Sequence, residues 1–529
     1  MDTINSLQDL LPPKQDTDAL VSFYVDHFEY IHRIVHVPTF MREYSAFWEQ
    51  EPRSRHTATT ALILSMISVA TCALTGPSDT ASIASEYRAV APSWICACNR
   101  WIIGQPESFQ GRKLVYYQVS SLVYLARRMN SIGRKRFWNE TGSLIQDAIL
   151  DKLLMKPPST DSSYTREMKR RTWAVLRELD LQNSFEFQLP TLLHSLESDA
   201  STPLNVDDQD LDQDTPTPKP HSQHTRTSYQ SLSAHSWKLR LGISRRLYSA
   251  GGRPKILTPG EVLRYTHEIT QELEFLPSWT TESGLVGENT NINNESGVHR
   301  KSCMLSWAFL QFQLKECLLA IHRPYLSKGS GLYSLSEMIC YHASRDILVL
   351  NRKLQVLGTQ SLTFLREDLL IASLTLTRIT TQQPKGTLSS VAIANTTSTA
   401  DLLEQCLPFS ESRYLRCLYG DPWAPLTASV ALASLKIHLG KETRETTKAF
   451  CGKRFLGLYY QHSPARQQTP AAADIQYLTT HPLSSEDGVL GSVGGRDDGL
   501  SGTSTGSPID SLAQERWLDD WDSLDVGAN

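Results

Sequence analysis

The chain is expected to fold as an all-α protein. Apolar residues recur at helical spacing along most of its length, and alternating β-branched runs with hairpin turns are nearly absent. At 529 residues, with 40% hydrophobic and 20% charged side chains, it has the material for a large core. The 28 glycines and 26 prolines are near average usage, which excludes collagen-like and wholly disordered chains.

In order along the chain, Leu20, Phe23, Tyr24, His27, Phe28 and Ile31 predict a first helix, preceded by Pro12-Pro13 and limited at its far end by Pro38. The run 61–74 is almost entirely apolar. It is short for a membrane span and carries Ser65, Ser68 and Thr71, so it reads as a buried helix. Segment 111–129 is a further helix, Gly133 breaks the pattern, and 137–154 resumes it. Segment 164–182 is the clearest amphipathic helix, with Met168, Thr172, Val175, Leu176 and Leu179 on one stripe. Helices follow near 236–249, 260–275, 303–321, 334–356, 362–379 and 423–439. Segments 200–230 and 280–298 read as polar surface loops within one helical body at 10–460. Segment 483–508, rich in Gly, Ser and Asp, reads as a disordered linker. Beyond it, 509–526 places Trp517, Trp521 and Leu524 on one helical face among acidic residues. That composition suits an amphipathic activation segment, or equally a terminal helix docked on the domain.

A net charge of −4 disfavours a globally basic nucleic-acid binder. Nine sparse cysteines argue for reduced thiols, and none is spaced as Cys-x2-Cys, so they read as small buried hydrophobes. The N-terminus has acids where a secretory signal needs basic and apolar residues, and no membrane association is expected. The string 127–136 holds five basic residues and no acid, which fits an import signal, a phosphate contact or a solvated interhelical turn.

Other strings invite chemistry. An EF-hand loop starting at Asp208 would have oxygens from Asp210, Asp212 and Asp214. It has Gln213 where Gly is required and Lys219 where Glu is required. A helical metal-dependent biosynthetic enzyme using Asp207, Asp208, Asp210 and Asp212 is the alternative from another class, although Leu211 stands where the usual aspartate spacing needs an acid. Gly502–Gly506 matches a nucleophile elbow around Ser504 but lies in low-complexity sequence. No residue is assigned catalysis, and no metal or cofactor is expected.

Several strings, taken in order, resemble the fungal-specific transcription factor domain, or middle homology region. Residues 10–48 resemble its start, with the turn His36, Val37, Pro38, Thr39, Phe40. Segment 134–153 resembles its Trp-containing helix, with Trp138 at the motif position. Segment 167–190 resembles its central signature through Arg170, Arg171, Trp173 and Asp180. The downstream string is matched by Pro203, Asn205, Asp207 and Asp208, and a later motif by His322, Arg323 and Pro324. The resemblance covers roughly 10–330, weakening to about 440. It implies a regulatory domain of a nuclear transcription regulator, an activator of metabolic or secondary-metabolite genes. It also makes Arg170, Arg171 and Asp180 structural, and Asp207 and Asp208 part of a loop rather than a metal site. The six cysteines of the family's usual zinc cluster are not in this chain. Direct sequence-specific DNA binding is therefore not expected of it, and the expected partners are a DNA-bound transcription factor or coactivator and a small-molecule effector held between helices.

Overall fold

The computed structural model describes residues 7–73, 79–105, 113–195, 202–212, 216–248, 255–279, 294–326, 332–382, 390–417 and 423–467. Among these it is all helical. The helices are α1 (Lys14–His27), α2 (Val37–Glu49), α3 (Thr57–Ala73), α4 (Asp79–Tyr87), α5 (Ala91–Ile103), α6 (Leu114–Met129), α7 (Phe137–Leu150), α8 (Ser163–Phe187), α9 (Ser228–Leu247), α10 (Pro259–Phe275), α11 (Asn294–His322), α12 (Tyr333–Val356), α13 (Asp368–Thr381), α14 (Ser390–Arg416), α15 (Trp423–His438) and α16 (Arg444–Gln467).

Residues 61–73 of the apolar run lie in α3, which is buried on every face from Thr60 to Ala73. Such a helix needs cover all round, and α1, α5 and α6 provide it. No described helix is long and apolar enough to cross a membrane. A second group, α11 to α15, packs in sequence-adjacent pairs, with α9 and α10 closing on α11. The signature helix α8 joins the two groups through α6, α7, α9 and α11. It is longer than the periodicity implied, because Ser162 caps its start through the Thr165 amide (3.1 Å) and Gln188 ends it in a left-handed conformation.

Eight of the eleven expected helices differ at one end or both by three to nine residues, and five helices were not anticipated: α2, α4, α5, α14 and α16. Pro38 does not simply limit the first helix. α1 ends at His27, a tight turn follows, and Pro38 sits in the first turn of α2, where a missing amide proton costs nothing. Gly133 breaks the chain after α6 as expected, at φ 69°. The stretch 200–230 is not only a surface loop: Asn205, Val206 and Asp208 are buried, and α9 already begins at Ser228. Segments 280–293 and 468–529 lie outside the described residues, and with them the linker at 483–508, Ser504, and Trp517, Trp521 and Leu524; the last five positions of the expected loop at 280–298 are instead the first turn of α11.

Candidate functional site

The motif residues converge on one buried cluster of charges. After α1 the chain turns through Glu29 and Arg33, with Arg33 in a left-handed conformation at φ 44° and fully buried. From α8, one turn apart, come Glu167 and Arg171, which pair at 3.3 Å. The loop after α8 brings Asp208 between the two arginines. Its Oδ1 accepts from Arg33 and from Arg171 Nη1 (2.7 Å), and its Oδ2 accepts from the Val37 amide (2.9 Å). Burial would raise the Asp208 pKa, but the two guanidinium groups prevail and hold it well below the usual carboxylate range. Glu29 has weaker cationic support. It accepts from the Tyr24 hydroxyl (2.8 Å) and the Val35 amide (3.2 Å), and burial pushes its pKa up to about 7.

The surrounding motif residues hold this cluster in place. His36 bridges the two segments: Nε2 donates to the Asp208 carbonyl (2.9 Å), while Nδ1 accepts from the Thr39 amide (3.3 Å) and lies 2.8 Å from its hydroxyl. Phe40 packs into the core. Pro203 is buried in the approach to the loop, and the next amide, Leu204, donates to Glu167 (3.0 Å). Asn205 organises the loop from inside, donating to the carbonyls of Lys219, Pro220 and Gln223 at 3.1 Å each and accepting from Thr225 and Ser228 at 2.7 Å each. Asp207 and Asp210 share Lys219 (2.7 and 3.0 Å), and Asp207 also accepts from the Arg226 amide (3.0 Å). Three of the carboxylates weighed as metal ligands are thus spent: Asp208 on two buried arginines, Asp207 and Asp210 on a lysine.

Apart from Arg170, which borders the cluster through Glu167, the other motif residues lie away from it. Arg170, half-buried, pairs with Glu167 at 3.2 Å. Trp173 is in the core. Trp138 donates to the Pro190 carbonyl (2.8 Å), pinning α7 to the exit of α8. Asp180 accepts from Thr141 (3.4 Å), and burial lifts its pKa to about 6. His322 ends α11 and joins three helices through Thr266 of α10 (2.8 Å) and Ser336 of α12 (3.0 Å). Arg323 and Pro324 form the short turn that follows.

Two further clusters escaped the sequence reading. Glu178 of α8 takes a bidentate contact from Arg240 of α9 (2.9 Å twice) and one from Gln313 of α11 (2.6 Å). Arg128 of α6 donates to Glu186, to Asn183 (2.8 Å) and to the Leu365 carbonyl (2.7 Å). Arg127 beside it is fully buried against Glu140 (2.7 Å), whose pKa burial raises to about 7. The basic string 127–136 therefore does not present its first two cations to phosphate. A signal was available: both arginines sit in the last turn of a helix with no polar face.

Between the clusters lies a cavity of about 30 Å³, walled by Ile31, His32, Arg177, Glu178, Tyr229 and Arg366 among others. That is room for one or two water molecules and far below the ~300 Å³ at which metabolite pockets begin. Arg177 stacks on the Trp237 ring at 4.3 Å, and burial brings its pKa down to about 10.

Comparison with known proteins places this arrangement. The profile of the fungal specific transcription factor domain matches residues 21–356, more than half of the chain. The chain belongs to that family. Within this domain, His36, Arg171 and Asp208 tie the turn after α1 to α8, and Asn205 organises the loop that carries Asp208. The chain is 27% identical over 338 residues to Transcription factor opdR of Penicillium oxalicum, covering 62% of this chain and 41% of that protein. It is 28% identical over 355 residues to Transcription factor lepE of Aspergillus flavus, covering 65% and 40%. A shorter match, 27% over 223 residues, covers 41% of this chain and 27% of the Pyrrolocin cluster transcription factor fsdR of a fungal species. The chain thus matches about two fifths of the length of its first two relatives.

Proposed function

We propose that this chain is the regulatory part of a transcription regulator, an activator of a metabolic or secondary-metabolite gene set, working in the nucleus. The observation that carries the reading is the family match over 21–356, together with relatives that are named as transcription factors, one of them for a biosynthetic cluster. The site supports a non-catalytic role. The carboxylates of the motif string face arginine or lysine partners, and the cavity beside Glu178, about 30 Å³, is too small for a substrate.

In this reading the body at about 10–460 is a scaffold whose helices relay contact with a DNA-bound transcription factor or coactivator. The segment at 509–526, with Trp517, Trp521 and Leu524 interleaved among acids, would be the activating element, tethered by 483–508. A small effector would bind by parting α8 from α9 and α11 at the 30 Å³ cavity, where Arg177 offers a cation to an anionic ligand. Deleting the gene under conditions where it is expressed, and measuring all transcripts, tests the proposal. A coordinated fall across a defined gene set is expected. An unchanged transcriptome with a missing metabolite would sink it in favour of an enzyme.

A further inference from the structure

A second constellation lies outside the buried charge cluster. His299 and Cys303 stand one turn apart on α11, and their side chains meet, Sγ to Nε2, at 3.5 Å. The third member comes from the loop before α9. A ring nitrogen of His224, the Cys303 sulfur and a ring nitrogen of His299 lie within 4.8 Å of one another. We infer that His224, His299 and Cys303 form a binding site for a borderline divalent cation of the Zn2+ class, a reading independent of the proposed regulatory function.

The donor set and the spacing both argue for it. Two imidazoles and one thiolate are the ligands such a cation prefers over hard-oxygen cations. Tetrahedral coordination with bonds of ~2.3 Å to sulfur and ~2.05 Å to nitrogen sets those two atoms about 3.6 Å apart. The observed 3.5 Å already matches, so only small side-chain rotations are needed to bring in His224. On binding, the Cys303 thiol releases its proton to solvent, and the thiolate offsets one of the two positive charges. The fourth position is open to water or to an outside donor.

His224 is also held where a ligand must be held. Its two chain neighbours are both fixed by the motif residue Asn205: the Gln223 carbonyl accepts from the Asn205 side chain (3.1 Å) and the Thr225 hydroxyl donates to it (2.7 Å). Its ring meets Trp279 edge to face at 4.8 Å between centroids and lies 3.1 Å from the Ser306 hydroxyl of α11, through Nε2. The cation would staple the loop that carries Asp207 and Asp208 to the helix that carries Gln313, joining two of the buried clusters.

The test uses the tag-free full chain, stripped with a chelator and titrated with Co2+. One equivalent should bind with a thiolate-to-cobalt charge-transfer band, displaced by Zn2+, and Zn2+ should raise the melting temperature. Cys303→Ser should abolish the band. His299→Ala, at an exposed position that the fold tolerates, should weaken binding by about tenfold or more and remove the melting shift. Cys340→Ser, at another buried thiol, should change neither. No band from a chain with native circular dichroism would overturn the inference. So would a band that survives Cys303→Ser, or equal affinity in His299→Ala.

Discussion

Asp208→Ala is the most informative single substitution. Asp208 is 2% exposed and serves two arginines that are themselves fully buried, along with the Val37 amide. Removing it leaves Arg33 with Glu29, whose own pKa is raised to about 7, and Arg171 with Glu167 alone. Breaking a buried pair by deleting one partner costs about 3–5 kcal/mol, because a charge is stranded away from water. Against a typical domain stability of ~5–15 kcal/mol that is a large fraction. Asp207 supplies the control from the next position. It is half-exposed, and Asp207→Ala removes a partly solvated lysine contact and one backbone hydrogen bond, costing about 1–2 kcal/mol. Chemical denaturation followed by circular dichroism measures both variants. If Asp208→Ala shifts the midpoint no more than Asp207→Ala, at unchanged slope, the buried cluster does not hold the domain together and the argument fails.

Three more expectations follow from the same physics. Arg128→Ala should destabilise by about 3 kcal/mol, since it leaves buried Glu186 with only the more distant Arg134 (3.9 Å) and removes one of the two donors to the Leu365 carbonyl, and a reporter of nuclear import should respond only as far as the fold is lost. Gly133→Ala should cost about 1–2 kcal/mol in the same denaturation assay, because φ is 69° and the new Cβ would stand 2.8 Å from the Arg127 guanidinium that Glu140 holds in place. Two signs of pH dependence should appear in melting curves. Glu29 and Glu140 have folded pKa values of about 7, above their unfolded values. Their contribution is therefore full below ~4.3 and is lost as pH rises through 7, and Glu29→Gln should flatten part of that fall. Asp208 has the opposite sign: its contribution is full above ~3.9 and is lost as pH falls toward its depressed folded pKa.

The helical class was legible because burial on one face imposes a 3.6-residue period, which α8 and α12 carry plainly, while α3, buried on every face, shows instead as an unbroken apolar run. α2 was missed because Pro38 reads as a stop, although in the first turn it is a start. α14 was missed because Pro408 lies inside it and its apolar residues are diluted by Ser and Thr. The ordered motif strings identified the family, and His36, Arg171, Asn205 and Asp208 stand among the residues that they named. They did not reveal what joins them. Asp208 meets Arg33 across 175 positions, and nothing in the local pattern around Arg33 marks it as buried.

By itself, then, the sequence determined what local periodicity and composition can encode: most of the helices, some of their limits, thiols bound for the interior and a loop rich in acid. Only the tertiary structure decided which charges are interior. Arg127 and Arg128 look like a surface patch in the string and are core residues in the fold, whereas Asp207 and its neighbour Asp208 look alike and differ in burial and in partners. The reason is that a charge enters a core only where a partner from a distant segment arrives to meet it, and that pairing is a property of three-dimensional contact rather than of spacing along the chain.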